Sequence, residues 1–242
     1  MDWIDEGIVL SARRHGENAL IVSLLTRDHG RHAGLVRGGS GMRARGLYQP
    51  GNLLRAHWRA RLADHLGNWT CELARAYAAD HLQAPLPLLA LSAATSLIDT
   101  AVPEREPAGH LFGMLEELLG ALGRPGWPVR YVRWELHLLA EMGFGLDLSQ
   151  CAATGVREGL AFVSPKTGRA VSEAAAGPWR GQLLPLPGFL HDPHAEMPSP
   201  DDLADGLAMT GFFLRRHLGG DGAHALPAAR ERLAQGLKAY RP

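Results

Sequence analysis

Ten arginines lie between residues 13 and 61, a segment with only two acidic residues, Glu17 and Asp28, and so with a net charge of +8 before histidines are counted. A guanidinium group donates paired hydrogen bonds to phosphate oxygens. Like charges at this density repel one another, and a phosphate backbone is the commonest partner that offsets the repulsion. Residues 81–242 hold 14 basic and 17 acidic side chains, so the overall net charge of zero hides a basic first third. This distribution predicts that the first third binds nucleic-acid backbone.

The expected phosphate contacts come from eight of these arginines: Arg13, Arg14, Arg37, Arg43, Arg45, Arg55, Arg59 and Arg61. Trp58 lies among the last three and would offer a surface for base stacking beside the phosphate contacts. Because strand alternation buries one face of a sheet, Trp58 and Trp69 are equally well explained as barrel core. The sequence leaves both interpretations open.

Short β-strands must position these side chains. Alternating or β-branched runs, separated by glycine-containing turns, predict strands at residues 7–13, 19–26, 32–37, 52–61 and 66–73. The glycine-rich stretch 38–46 is expected to be a mobile loop that carries Arg43 and Arg45. Five strands within residues 1–78 favour a five-stranded OB-fold barrel. An SH3-like barrel is the alternative that strand counting does not exclude.

Residues 79–242 are expected to form an α-helical domain, which makes the chain an α+β protein. Apolar residues at helical spacing predict helices near residues 88–98, 111–122, 129–142, 201–218 and 227–240. The segment 143–190 is rich in loops, with one hairpin expected around Lys166-Thr167-Gly168.

No catalytic centre, cofactor or metal is predicted. The glycines of residues 38–41 match neither of the common phosphate-binding glycine motifs. Two histidine pairs have a three-residue spacing, His29 with His32 and His191 with His194. Neither pair has an evident third and fourth metal ligand nearby. A hydrolase that acts through His191, Asp192 and His194 is a less favoured alternative to a non-enzymatic binding protein.

The sequence also bears on location. It has no apolar run long enough to cross a membrane, and its first residues lack the basic and apolar regions of a signal peptide. The two cysteines, Cys71 and Cys151, are far apart and suggest no disulfide framework. We expect a cytoplasmic protein associated with the nucleoid.

Several short motifs, taken together and in order, resemble the bacterial RecO family of recombination mediators, in particular its zinc-free proteobacterial members. They are Asp2-Trp3, Gly7-Ile8-Val9-Leu10, Gly16-Glu17, Ile21-Val22-Ser23-Leu24-Leu25-Thr26, His29-Gly30-Arg31, Gly34-Leu35-Val36-Arg37-Gly38-Gly39 and Tyr48-Gln49-Pro50-Gly51-Asn52. The likeness continues less sharply through Arg133-Trp134-Glu135-Leu136 and Gly143-Phe144-Gly145-Leu146-Asp147-Leu148, and so spans most of the chain.

This resemblance implies an OB-fold domain followed by a helical domain. It also implies binding to single- and double-stranded DNA, annealing of complementary strands, contact with the acidic C-terminal tail of single-stranded DNA-binding protein (SSB), and action with RecR to load RecA. The alternative is an RNA-binding or protein-interaction module outside recombination. We expect the SSB tail to meet an apolar pocket bordered by Arg130, Arg133 and His137.

Many members of the family carry a four-cysteine zinc module after the Leu-Asp-Leu segment. Cys151 stands where the first ligand would fall, whereas Thr154, Ser172 and Ala175 stand at the other three positions. The resemblance therefore implies a module without metal at residues 149–180, stabilised by packing and hydrogen bonds.

Overall fold

The structure is a computed structural model that describes residues 1–39, 41–62, 65–192, 198–218, 225–238 and 240, with only the backbone of residues 42 and 43. It divides into two compact units, Met1–Gly123 and Arg124–Pro242. No helix among the described residues is long and apolar enough to cross a membrane.

The first unit is built on a closed barrel of five strands: β1 (Asp2–His15), β2 (Ala19–Thr26), β3 (Gly30–Arg37), β4 (Leu53–Arg59) and β5 (Gly67–Arg75). The strands neighbour one another in the order β1-β2-β3-β5-β4, and β4 returns to pair with β1. Every pairing is antiparallel except the short parallel pair of β3 with β5. The predicted OB-type barrel is confirmed.

Three tryptophans dominate the barrel interior. Trp58 on β4 and Trp69 on β5 are buried in the core, and Trp3 on β1 packs against them. Two glycines on the closing strands leave room for these rings, since a Cβ on Gly67 would lie 2.1 Å from Trp58 and one on Gly34 would lie 2.5 Å from Trp69. The parallel contact of β3 with β5 therefore depends on residues without side chains.

A short helix, α1 (Met42–Leu47), occupies part of the stretch predicted to be a loop. Ala44 and Leu47 pack against the barrel core, and Tyr48 directly after them is buried in it. The loop prediction was wrong for residues 42–46 because burial of these three side chains outweighs the low helix propensity of the neighbouring glycines. Ser40 lies outside the described residues.

Two further helices belong to the first unit, α2 (Pro85–Ala101) and α3 (Gly109–Ala121). The hydroxyl of Ser23 on β2 donates to the Asp99 carboxylate of α2 over 2.7 Å, and α2 also packs on β1. The sequence boundary at residue 78 separates strand-rich from helix-rich chain, whereas the compact unit continues to residue 123.

The second unit contains three longer helices, α4 (Trp127–Glu141), α6 (Pro200–Leu218) and α7 (Ala228–Leu237). A small antiparallel sheet of β6 (Leu160–Val163), β7 (Ala170–Ser172) and β8 (Leu184–Pro185), with the single turn α5 (Glu173–Ala176), fills the loop-rich segment. The β6–β7 pair is the hairpin predicted around Lys166. The buried pair of Glu135 on α4 with Arg230 on α7 joins two of the long helices.

Candidate nucleic-acid interface

Three of the predicted arginines lie together at one end of the barrel. Arg13 and Arg14 end β1 beside the β1–β2 hairpin, and Arg37 ends β3. The strand register brings them together, because His15 is paired with Ala19, and Ala19 with Arg37. All three arginines are exposed, and none pairs with an acidic side chain in the described parts of the chain.

A row of cross-strand neighbours runs from Arg13 around the outside of the barrel. In register order it consists of Arg13, Ile21, Leu35, Asn68 and Arg59. Ile21 and Leu35 are half-buried apolar residues at its centre. The row, which we call the barrel row, therefore has guanidinium groups at both ends and an apolar strip between them. Cations along the row suit the phosphates of a single strand, and the aliphatic side chains between them offer apolar contact rather than stacking to its bases.

Arg45 and Arg61 add exposed charge to the first unit. Arg45 is the basic residue in the last turn of α1, the helix that follows Arg37. Arg61 comes two residues after Arg59, in the β4–β5 loop. In OB folds the β1–β2 and β4–β5 loops flank the oligonucleotide-binding surface. The side chain of Arg43 lies outside the described part of the structure.

Other arginines of the basic segment are engaged by acidic residues. Arg59 donates to Asp2 over 2.7 Å, and Arg27 donates to Glu6 over the same distance. Arg31 is half-buried and donates to the Val102 carbonyl oxygen over 2.6 Å. These three guanidinium groups already have partners within the first unit, so they are less available to DNA than unpaired ones.

Arg55 lies in an acidic neighbourhood. Barrel closure places it between Glu6 on β1 and Glu72 on β5, both of them its cross-strand partners. These acidic residues lie outside the segment in which arginines outnumber acids. The face of β1, β4 and β5 is consequently less basic than the charge count predicts, and the end near Arg13 and Arg37 is the more basic part.

The structure contradicts a stacking role for Trp58. Its side chain is in the barrel core with the residue 1% exposed, and its indole Nε1 donates to the Ala33 carbonyl oxygen over 3.3 Å. A nucleobase cannot reach this ring unless the barrel opens. Of the two interpretations that the sequence left open, the core residue is correct, because β4 turns Trp58 inward while Arg55 and Arg59 face outward.

The sequence did not predict an aromatic stack that lies at the opposite end of the barrel. The imidazole of His29 stacks on Trp3, with ring centroids 3.9 Å apart. Trp3 stacks in the same way on Trp58, with ring centroids 5.5 Å apart. His29 Nδ1 lies 2.9 Å from the buried Asp5 carboxylate. The two histidines predicted as a pair, His29 and His32, therefore pack against Trp3 as part of the fold.

The residues predicted to border the partner pocket lie on α4 of the second unit, where a cavity of about 430 Å³ is found. Arg133 and His137 line it, and Arg133 Nη2 donates to the Phe189 carbonyl oxygen over 2.6 Å. Leucines 136, 146, 148 and 190 supply apolar lining. Arg130 is exposed on the same helix but does not line the cavity.

His191 and Asp192, two members of the alternative hydrolase site, also line this cavity. Burial lowers the pKa of His191. The third member, His194, lies outside the described residues. Across the described residues, no group of three or more His, Cys, Asp or Glu side chains converges in a way that could hold a metal ion.

Cys151 is the centre of a small hydrogen-bonded cluster in the loop-rich segment. Its Sγ accepts hydrogen bonds from the Ser172 amide over 3.3 Å and from the Ser172 hydroxyl over 3.5 Å. Burial alone would raise the pKa of the thiol, but these bonds, with others from Thr154 and the Ala153 amide, lower it to about 6. Three of the four positions that the resemblance assigned to metal ligands thus meet through hydrogen bonds.

Comparison with known proteins identifies the family. Residues 1–77 match the family described as "Recombination protein O N terminal", and residues 82–226 match "Recombination protein O C terminal". The DNA repair protein RecO of Rhodospirillum centenum is 52% identical over 96% of this chain and 93% of its own length. Its counterpart in Jannaschia sp. is 48% identical over 98% of this chain and 97% of its own length. The chain belongs to the recombination protein O (RecO) family of DNA repair proteins.

Proposed function

We propose that this protein is a DNA-binding recombination mediator that acts by binding rather than by catalysis, in the cytoplasm and at the nucleoid. It binds and anneals single-stranded DNA and, with RecR, helps to load RecA onto DNA coated by SSB; it also binds double-stranded DNA. The observation that supports the DNA-binding step most directly is the end of the barrel where Arg13, Arg14 and Arg37 are exposed and unpaired among the described residues.

The proposed DNA-contacting arginines differ in how many acidic side chains lie beside them, and so in how strongly they can bind phosphate. Five arginines with described side chains are exposed and have neither a described ion pair nor an acidic cross-strand neighbour: Arg13, Arg14, Arg37, Arg45 and Arg61. Arg43 remains in the proposed set from the sequence. Arg55 and Arg59 contribute less, because DNA must compete with Glu6, Glu72 and Asp2 for their guanidinium groups.

Binding of this kind is independent of base sequence and strongly dependent on salt. Each arginine that neutralises a phosphate of a single strand adds about 0.7 to the steepness of log Kobs against log salt. An Arg13→Ala/Arg37→Ala variant should therefore have a slope shallower by about 1.4. The matched control is Arg124→Ala/Arg232→Ala, which removes two exposed arginines from the second unit.

Titration of fluorescent single-stranded DNA at several salt concentrations measures the slope. Equal slopes for the two double variants would refute the proposed barrel contacts. A parallel titration with RNA of the same sequence separates a DNA-binding protein from the alternative RNA-binding module, since the recombination role requires binding to DNA.

The α4 cavity is the proposed site for the SSB tail. Its leucines suit the apolar residues of an acidic peptide, and Arg133 and His137 lie where they can meet its carboxylates. A fluorescent peptide with the sequence of the SSB tail should bind the intact protein, and His137→Glu should weaken that binding. Arg130→Ala should have a smaller effect, because Arg130 lies outside the cavity lining. Equal losses in the two variants would show that general charge, rather than this cavity, recruits the peptide.

A further inference from the structure

A second cavity in the second unit, of about 190 Å³, shares Gly145 and Leu146 with the α4 cavity but contains none of the charged side chains proposed above to bind a ligand. It lies among the residues that follow α4, the β6–β7 turn and the last turn of α6. Its functional groups come from Phe144, Lys166, Thr167, Arg216 and His217, and no acidic side chain is among its lining residues. We call it the Phe144 cleft.

Its two permanent cations, Lys166 and Arg216, are exposed and have no acidic partner among the described residues. This contrasts with neighbouring arginines on the same elements. Arg215 of α6 is paired with Glu231 at 3.0 Å, and Arg169 near β7 is paired with Asp147 at 3.4 Å. The cations that face the cleft are thus the ones left available to an anion.

Arg216 is also fixed in position. Its Nη1 donates to the Pro165 carbonyl oxygen over 2.6 Å, which ties the end of α6 to the turn that carries Lys166. The neighbouring Thr167 adds a hydroxyl group to the cleft. A guanidinium held in this way loses less side-chain entropy when it binds a ligand than a free one does.

An aromatic pair completes the cleft. The ring of Phe144 stacks on His217, with centroids 3.8 Å apart and planes 13° from parallel. Phe144 is nevertheless 39% exposed, which is unusual for a large apolar residue packed against a neighbour. Burial, followed by the nearby Arg216 charge, lowers the pKa of His217, which favours the neutral form of its ring. The exposed part of Phe144 is available to another planar ring.

We propose that the Phe144 cleft binds one nucleotide of a single-stranded nucleic acid. The phosphate oxygens accept hydrogen bonds from Lys166, Arg216 and Thr167, and the base stacks on Phe144. The cavity is smaller than the roughly 300–1,000 Å³ of pockets that enclose drug-sized ligands, which suits a single ring with its phosphate at the mouth. An acidic peptide fits less well, because Phe144 is the one exposed apolar side chain among the described lining residues, while Leu146 is half-buried and Phe213 is buried.

Photocrosslinking tests this site in the full chain. Irradiation of a thymine oligonucleotide carrying one 5-iodouracil should crosslink the base to Phe144, as mapped by mass spectrometry of the digested protein. Lys166→Glu should lower this crosslink about tenfold, the effect of losing a charged hydrogen bond. Lys238→Glu is the control, because Lys238 is the other lysine of the chain, is exposed, and undergoes the same change of charge.

The barrel and the cleft are distinguishable in the same experiment. Arg13→Ala/Arg37→Ala should reduce crosslinks within residues 1–75 and leave the Phe144 crosslink in place. A Phe144 crosslink together with equal salt slopes for Arg13→Ala/Arg37→Ala and Arg124→Ala/Arg232→Ala would support the cleft and refute the barrel contacts. The cleft proposal is overturned if Phe144 is not crosslinked, if Lys166→Glu and Lys238→Glu lower its crosslink equally, or if an acidic peptide displaces the crosslink more effectively than unlabelled oligonucleotide.

Discussion

Replacement of Arg230 by methionine is expected to destabilise the second unit by about 3–5 kcal/mol, the usual cost of breaking a buried ion pair from one side. Arg230 and Glu135 have side chains only 2% and 0% exposed. The guanidinium donates to both carboxylate oxygens of Glu135, at 2.9 and 2.8 Å, and to the Leu207 carbonyl oxygen at 2.6 Å. Methionine fills most of the same volume but leaves a buried carboxylate with the Thr210 hydroxyl as its described partner.

The cost of leaving the Glu135 carboxylate unpaired can be separated from the loss of packing around Arg230. A Glu135→Leu/Arg230→Met double variant removes both charges and should recover most of the loss, since apolar replacements of buried ion pairs are often neutral or stabilising. Urea unfolding followed by circular dichroism, together with thermal melting, gives the free energies for the double-mutant cycle. We expect the melting temperature of the single variant to fall by about 10 °C.

Equal costs for the single and the double variant would refute this reasoning, because they would show that the uncompensated charge contributes nothing. A loss below about 1 kcal/mol in the single variant would lead to the same conclusion. The pair is also relevant to binding, since Glu135 lies on the helix that carries Arg133 and His137. Peptide binding at the α4 cavity should therefore weaken together with stability in Arg230→Met and recover in the double variant.

Two other substitutions test the fold. Gly67→Ala should lower the free energy of unfolding by about 1–3 kcal/mol, as measured by urea unfolding, because the new Cβ meets Trp58. The control is Gly113→Ala on the exposed surface of α3, where a Cβ has no neighbour within 4 Å and the substitution should be neutral or stabilising. Equal changes in the two variants would contradict this prediction. The thiol of Cys151 has its pKa lowered from 9.0 to about 6, so its contribution to stability is complete above pH 9 and is lost as the pH falls through 6. The melting-temperature difference between the protein and Cys151→Ala should therefore grow from pH 6 to pH 9. A constant difference would refute a contribution of the Cys151 thiolate to stability.

The barrel could be predicted from sequence because each strand carries its own signal. Leu20, Val22 and Leu24 alternate along β2 and point into the core, and glycine-containing turns mark where the strands end. Helix α1 has no comparable signal, since its apolar contacts with the barrel come from tertiary packing. Local composition predicted a loop there, and only the assembled barrel explains why residues 42–47 are helical.

The binding surface was harder to predict than the fold because it depends on register. Composition predicted that the arginines of the basic segment would be exposed, but it did not predict which of them form ion pairs with acidic residues. Asp2 and Glu6 precede the basic segment and Glu72 follows it, yet barrel closure places all three beside β4. Trp58 could not be assigned for the same reason, since a shift of one residue would have turned it outward. The half-buried Ile21 and Leu35 of the barrel row become visible only through the strand pairing.

Pairing also limits how strongly the barrel can respond to salt. If all ten arginines of the basic segment neutralised phosphates on a single strand, the slope of log Kobs against log salt would be about −7. The five exposed arginines that have neither a described ion pair nor an acidic cross-strand neighbour give about −3.5 instead, and the addition of Arg43 gives about −4. Arg27, Arg31 and Arg59 would have to abandon Glu6, Asp99 and Asp2 before they contributed. A barrel contribution to the slope near −7 would therefore mean that DNA displaces these internal pairs and rearranges the barrel, whereas a contribution near −4 would mean that DNA binds the barrel as it is folded here.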